Sequence, residues 1–105
     1  MIKFRQGETV EMEFDVVDSA GVAISLVGAS SVMAYKPVGG EVVVKACVIG
    51  TGKVTTTFTE AETKDMLGTY LIEVKLKDSA SSIDSIYYDK FEVSKSLIPE
   101  FPVVV

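Results

Sequence analysis

Histidine and tryptophan are both absent from this 105-residue chain; cysteine occurs once and proline three times. Without histidine there is no Ser-His-Asp or Cys-His nucleophile arrangement, and the commonest zinc ligand sets are excluded. The single thiol, Cys47, rules out an intrachain disulfide, so the chain does not read as a disulfide-dependent secreted module. Long apolar runs are missing as well. The longest, from Val42 to Ile49, is broken by Lys45 and is too short to span a bilayer, so no membrane partner is expected. The first residues, Met1-Ile2-Lys3-Phe4-Arg5-Gln6-Gly7-Glu8, lack the apolar stretch of roughly 7–15 residues that a signal peptide needs. Synthesis and folding in the cytoplasm are expected, with later incorporation into an extracellular particle left open. Basic residues are outnumbered, ten against fifteen acidic ones for a net charge of −5, and they are scattered. Nucleic-acid binding draws on clustered Lys and Arg that release counterions, so no nucleic-acid partner is expected.

What is present is apolar and alternating. Hydrophobic residues make up 48% of the chain, and the mean hydropathy is +0.34. That is high for a free-standing monomer and suggests apolar surface set against a partner. The length suits one domain with one core. The dominant period is two, the mark of half-buried strands. Val10, Met12, Phe14 and Val16 alternate with Thr9, Glu11, Glu13 and Asp15, and Asp18-Ser19-Ala20-Gly21 follows as a turn. Ser31 to Lys36 reads as a strand stopped by Pro37 and the Gly39-Gly40 turn. Val42 to Ile49, apolar on both faces, is predicted to be a central strand. Val54, Thr56 and Phe58 point one way along the next strand. Thr59-Glu60-Ala61-Glu62 fits a capping box, predicting two helical turns to about Leu67 that stop at Gly68.

Tyr70, Ile72, Val74 and Leu76 mark the clearest amphipathic strand. Ile83 to Ser94 forms the last, with a bulge expected near Ser85 or Asp89 because Ile86, Tyr87 and Tyr88 share no inward face. The prediction is an all-β fold, an immunoglobulin-like antiparallel β-sandwich of about seven strands with one short helical turn. Leu67-Gly68-Thr69-Tyr70 resembles a tyrosine corner, which gives Gly68 and Tyr70 structural roles. The domain spans 1–95, and 96–105 forms an extended C-terminal tail, its path fixed by Ile98-Pro99 and Phe101-Pro102.

Candidate chemistry is thin, and neither catalytic nor cofactor nor metal residues are assigned. Cys47 sits in the most apolar strand and reads as a buried, inert thiol. Glu11, Glu13 and Asp15 form a solvated strand face rather than a carboxylate pair for glycoside hydrolysis. Asp78, Asp84 and Asp89 lack the spacing of a calcium loop and read as turn and surface acids. Gly50-Thr51-Gly52-Lys53 lacks the length and following helix of a phosphate loop and reads as a hairpin turn. The residues expected to touch a partner are Leu97, Ile98, Phe101, Val103, Val104 and Val105, an apolar stretch able to add to a neighbour's sheet edge, together with Tyr88.

Several motifs stand in a telling order: Phe4-Arg5-Gln6-Gly7-Glu8-Thr9, Asp18-Ser19-Ala20-Gly21, Ile24-Ser25-Leu26-Val27-Gly28-Ala29, Gly52-Lys53-Val54-Thr55, Thr59-Glu60-Ala61-Glu62-Thr63, Leu67-Gly68-Thr69-Tyr70 and Phe91-Glu92-Val93. Over about residues 2–95 the sequence resembles the N-terminal domain of phage baseplate upper proteins and, more broadly, the immunoglobulin-like modules of tailed-phage structural proteins. The resemblance implies a virion component that docks on the tail or baseplate core, in a chain that continues into trimeric segments carrying receptor-binding proteins. This sequence runs only to Val105, short of such segments. The expected partners are therefore other phage tail and baseplate proteins and further copies of the chain, and the expected location is the virion. A carbohydrate- or host-surface-binding adhesion module, using Tyr35, Tyr87 and Tyr88, is the alternative.

Overall fold

The period-two segments become strands in a computed structural model that describes residues 2–100 and Pro102. In chain order these are β1 (Ile2–Arg5), β2 (Val10–Asp15), β3 (Ser30–Pro37), β4 (Val43–Ala46), β5 (Val48–Gly50), β6 (Lys53–Phe58), the helical turn α1 (Glu60–Thr63), β7 (Gly68–Lys77) and β8 (Ile83–Ser94). They form a five-stranded sheet ordered β1-β8-β7-β3-β4 and a three-stranded sheet ordered β2-β6-β5. Inward residues of both sheets make a shared core, so the chain is an all-β sandwich. The two sheets, of five and three strands, are the two layers of the predicted sandwich.

Three features depart from expectation. Val42 to Ile49 is not one central strand. It divides at Cys47 into β4 and β5, which lie at the edges of different sheets. Its two-sided apolar pattern comes from the chain changing sheets, not from burial on both faces. Cys47 at that crossing is accordingly half-buried against the core rather than fully enclosed. Second, Ile2–Arg5 is a strand and pairs with β8 in parallel, Ile2 beside Phe91 and Arg5 beside Ser94; every other paired strand is antiparallel. Third, α1 ends at Thr63, well before Leu67. The capping box is present, but Met66 is drawn into the core and its N–H bonds the Thr63 carbonyl instead of continuing a helix.

The bulge falls where the strand pattern breaks. Val74 pairs with Tyr87 and Lys75 with Ser85, leaving Ile86 as the extra residue. A bulge adds one residue to one strand and reverses the alternation beyond it. The tyrosine corner also forms: the Leu67 N–H donates to the Tyr70 hydroxyl oxygen at 3.4 Å. Gly68 begins β7 at φ +94°, a left-handed conformation that L side chains adopt only with strain.

No disulfide pins the two sheets; an aromatic cluster does so instead. Phe58 reaches in from the three-stranded sheet. Its ring centroid lies 5.5 Å from Phe91, 6.1 Å from Phe4 and 5.0 Å from Tyr35, which it meets edge-on. Phe91 in turn stacks on Tyr70 at 5.1 Å and on Phe4 at 5.5 Å. Such pairs add about 0.5–1.5 kcal/mol each beyond the area they bury.

Candidate partner-binding surface

The acidic residues singled out in the sequence lie on separate strands and turns. Glu11, Glu13 and Asp15 lie exposed along β2, and Glu13 reaches Lys53 at 3.4 Å. Asp78 is consumed by its own turn, accepting from the Ala80 and Ser82 N–H groups at 2.9 Å each. Asp84 is exposed in β8. Further along that strand, Asp89 accepts from the Lys90 N–H at 2.7 Å and from the Tyr87 hydroxyl at 3.2 Å. The Lys90 N–H is the main cause holding its carboxyl below the ordinary aspartate value, with the Tyr87 bond helping. Among the described residues no group of three or more acidic or thiol side chains converges as a metal site. Gly50 to Lys53 closes the β5–β6 hairpin, Gly50 paired with Lys53.

The three tyrosines considered for sugar binding are separated. Tyr35 packs inward against Phe58, and Tyr87 packs inward against Phe14 at 4.6 Å. Tyr88, one residue on, points outward and is 66% exposed. It belongs to the outer face of the five-stranded sheet, whose side-chain rows follow from register. One row runs Val44, Ala34, Glu73, Tyr88 across β4, β3, β7 and β8; the next runs Ala46, Val32, Lys75, Ser85. The β3–β4 half of this face is apolar and largely uncovered, with Val32, Val42 and Val44 all exposed. The β7–β8 half carries the charges, and the Ser85 hydroxyl donates to Glu73 at 3.0 Å. Between them lies a shallow hollow of about 130 Å³ lined by Ala34, Lys36, Val42, Leu71, Glu73 and Tyr88.

The C-terminal contact residues lie elsewhere. Leu97 is 99% exposed and Ile98 60%, whereas Phe101, Val103, Val104 and Val105 fall outside the described residues. The segment before them is not an extended strand. Instead 95–100 bends against the β1–β2 turn. The Arg5 guanidinium donates to the Lys95 carbonyl at 3.3 Å, the Ser96 N–H to Gln6 Oε1 at 3.2 Å, and Lys64 Nζ lies 3.6 Å from the Glu100 carboxylate. Tyr88 sits mid-strand in β8, so of the predicted contact residues that are described, Leu97 and Ile98 lie apart from Tyr88.

A polar clamp at the open edge escaped the sequence reading. Lys45 Nζ lies 2.6 Å from Glu62 Oε1, also donates to the Thr57 carbonyl, and sits 5.7 Å above the Phe58 ring. It ties β4 of one sheet to β6 and α1 on the other side. The signal was Lys45 itself, a lone cation in an apolar run. Glu62 serves twice, since its Oε1 also accepts from the Thr59 N–H at 2.9 Å and the Thr59 hydroxyl at 3.1 Å. Burial pushes the Glu62 carboxyl up, but the bond from Lys45, the two from Thr59 and the Lys45 charge together outweigh it, leaving it below the usual glutamate value. A carboxylate lowered in the folded state stabilises above its unfolded value, about pH 4.3, and that stability is lost as pH falls through the native value. Glu62→Gln is therefore expected to cost about 1 kcal/mol at pH 7, with the gap from wild type closing below about pH 4. Urea midpoints at pH 7 and pH 3 measure this; a gap independent of pH would refute it.

Comparison of the chain with family models, with curated proteins and with solved structures gave no match in any of the three.

Proposed function

We propose that the chain is a non-enzymatic structural and protein-interaction module of a tailed-phage virion, acting in tail or baseplate assembly. The observation that carries this reading is the uncovered apolar half of the five-stranded sheet, where Val32, Val42 and Val44 face outward beside exposed Tyr88. Exposed apolar patches on small domains mark interaction surfaces, and a tyrosine at their margin supplies contact area at low entropic cost. The order of glycine-turn and tyrosine-corner motifs, which resembles phage baseplate upper proteins, directs the choice of partner toward tail and baseplate proteins and further copies of the chain.

The test is made in particles. Mass spectrometry of purified virions from the encoding phage is expected to find the chain. Tyr88→Glu, on a face remote from the core, should reduce its incorporation at least tenfold while leaving its unfolding midpoint unchanged. Virions that assemble without the chain, and from which it is absent, would count against the proposal.

A further inference from the structure

The free edge of β4 carries a self-complementary sequence. Val43–Ala46 pairs with β3 on one side, and the five-stranded sheet ends there among the described residues. The Cys47 N–H donates to the Ser31 carbonyl at 3.0 Å. Because hydrogen-bonded positions alternate in an antiparallel ladder, Lys45 and Val43 also turn their main-chain groups toward β3. Val44 and Ala46 then turn theirs outward, into the unpaired edge, and an extension of the strand by one residue would turn those of Val42 the same way.

We propose that this edge pairs with the same edge of a second copy, antiparallel about a two-fold axis at Val43. In that register Val42 of each copy lies opposite Val44 of the other, and with the strand so extended these are the residues whose N–H and C=O groups point outward. Each such pair exchanges both main-chain bonds. Val43 faces Val43 in a close, non-hydrogen-bonded pair. Glu41 of each copy falls opposite Lys45 of the other, so the segment Glu41-Val42-Val43-Val44-Lys45 matches itself in charge at both ends. Glu41 is exposed and makes no ion pair among the described residues. Lys45 has three donors, of which the Glu62 carboxylate and the Thr57 carbonyl take two.

Lysines commonly guard an edge by projecting into water. Here Lys45 folds inward onto the clamp and leaves its edge open. The edge at β2 offers no such match, because self-pairing of Val10–Asp15 sets acids against acids, and β5 is only three residues long. Pairing at β4 joins the two larger sheets into one and makes their apolar outer halves, Val32, Val42 and Val44, a continuous surface across the axis. The inference rests on the reading of the chain as an interaction module and names one of its partners, a second copy.

Sedimentation equilibrium of the full chain at about 100 µM is expected to show a dimer, as suits a small and weak interface. Glu41→Lys should raise the dimer Kd about tenfold, since each of the two symmetric contacts becomes repulsive. Val44→Pro removes an outward N–H and no bond to β3, so it should abolish the dimer while the monomer keeps its β-sheet circular dichroism. In a Cys47→Ala background, Val43→Cys should oxidise to a covalent dimer, because Cα atoms about 4.5 Å apart lie within disulfide reach. Val42→Cys should not. A wild-type chain that is monomeric at this concentration would overturn the self-pairing, even if it binds a tail protein and so leaves the broader reading standing. A dimer indifferent to Glu41→Lys and Val44→Pro would overturn it as well.

Discussion

Phe58→Ala is expected to lose about 4 kcal/mol of folding stability, the largest effect of any single truncation in this chain. Phe58 is completely buried and is the one aromatic side chain the three-stranded sheet sends into the central cluster. Phe4, Tyr35 and Phe91 meet it from β1, β3 and β8, so the cavity left by alanine would border three rings fixed by a different sheet. Such a wall cannot collapse without shifting the sheets against each other, and residual cavity volume sets the cost. The Lys45 ammonium would lose the ring beneath it as well. Phe58→Leu keeps most of the volume and should cost about 1.5 kcal/mol. Guanidinium unfolding of the three proteins measures the difference, and a thermal midpoint lower by about 20 °C should accompany the alanine variant. A loss near 1 kcal/mol for alanine would mean that the sheets are not held through this ring.

Gly7→Ala is expected to cost about 3 kcal/mol and to release the segment after β8. Gly7 lies at φ +81° in the turn between β1 and β2, and a Cβ there would stand 2.2 Å from the Pro99 carbonyl oxygen. Left-handed backbone alone costs an L-residue about 1–2 kcal/mol. The collision adds to it, because its partner is backbone and cannot rotate away. Relief requires 95–100 to leave the turn, which forfeits the Ser96–Gln6 bond, the Arg5–Lys95 contact and the Lys64–Glu100 pair. Gly68→Ala supplies the control. Its φ of +94° carries the same conformational strain, but no atom beyond the adjoining residues lies within 4 Å of the added carbon. That variant should lose only about 1 kcal/mol. Thermal melts separate the two, and trypsin should cut after Lys95 many times faster in Gly7→Ala. Equal losses at the two glycines would show that the segment is not held by this turn.

The legible parts of the fold were those where one face is buried and the other is wet. Tyr70, Ile72, Val74 and Leu76 are all buried in β7, and β8 covers Ile83–Ser94 as its pattern required. The failure of Ile86, Tyr87 and Tyr88 to share a face encoded the bulge at Ile86. Where the chain changes sheets, periodicity misled. Val42 to Ile49 looked buried on both sides because β4 and β5 each expose valines at an edge, a pattern that hydrophobicity alone does not separate from a central strand. The β1 strand was hidden for a different reason: its partner lies in β8, at the far end of the sequence, and only four residues pair. Of the surface, the opposition of Tyr87 and Tyr88 was legible, but not which of the two rings faces water. The apolar outer half around Val32 and Val44 was not, since it exists only once β3 and β4 are side by side. The Lys45–Glu62 clamp likewise needs two sheets to bring its ends together.

The parallel seam between β1 and β8 also fixes how this domain would answer tension. Drawn apart along the chain, Ile2 would be hauled one way and Ser94 the other, each along the line of its own strand. The seam would then be loaded lengthwise, with every bond between the two strands sharing the pull. An antiparallel pair tugged from one end opens like a zip; here nothing gives until the whole row slips.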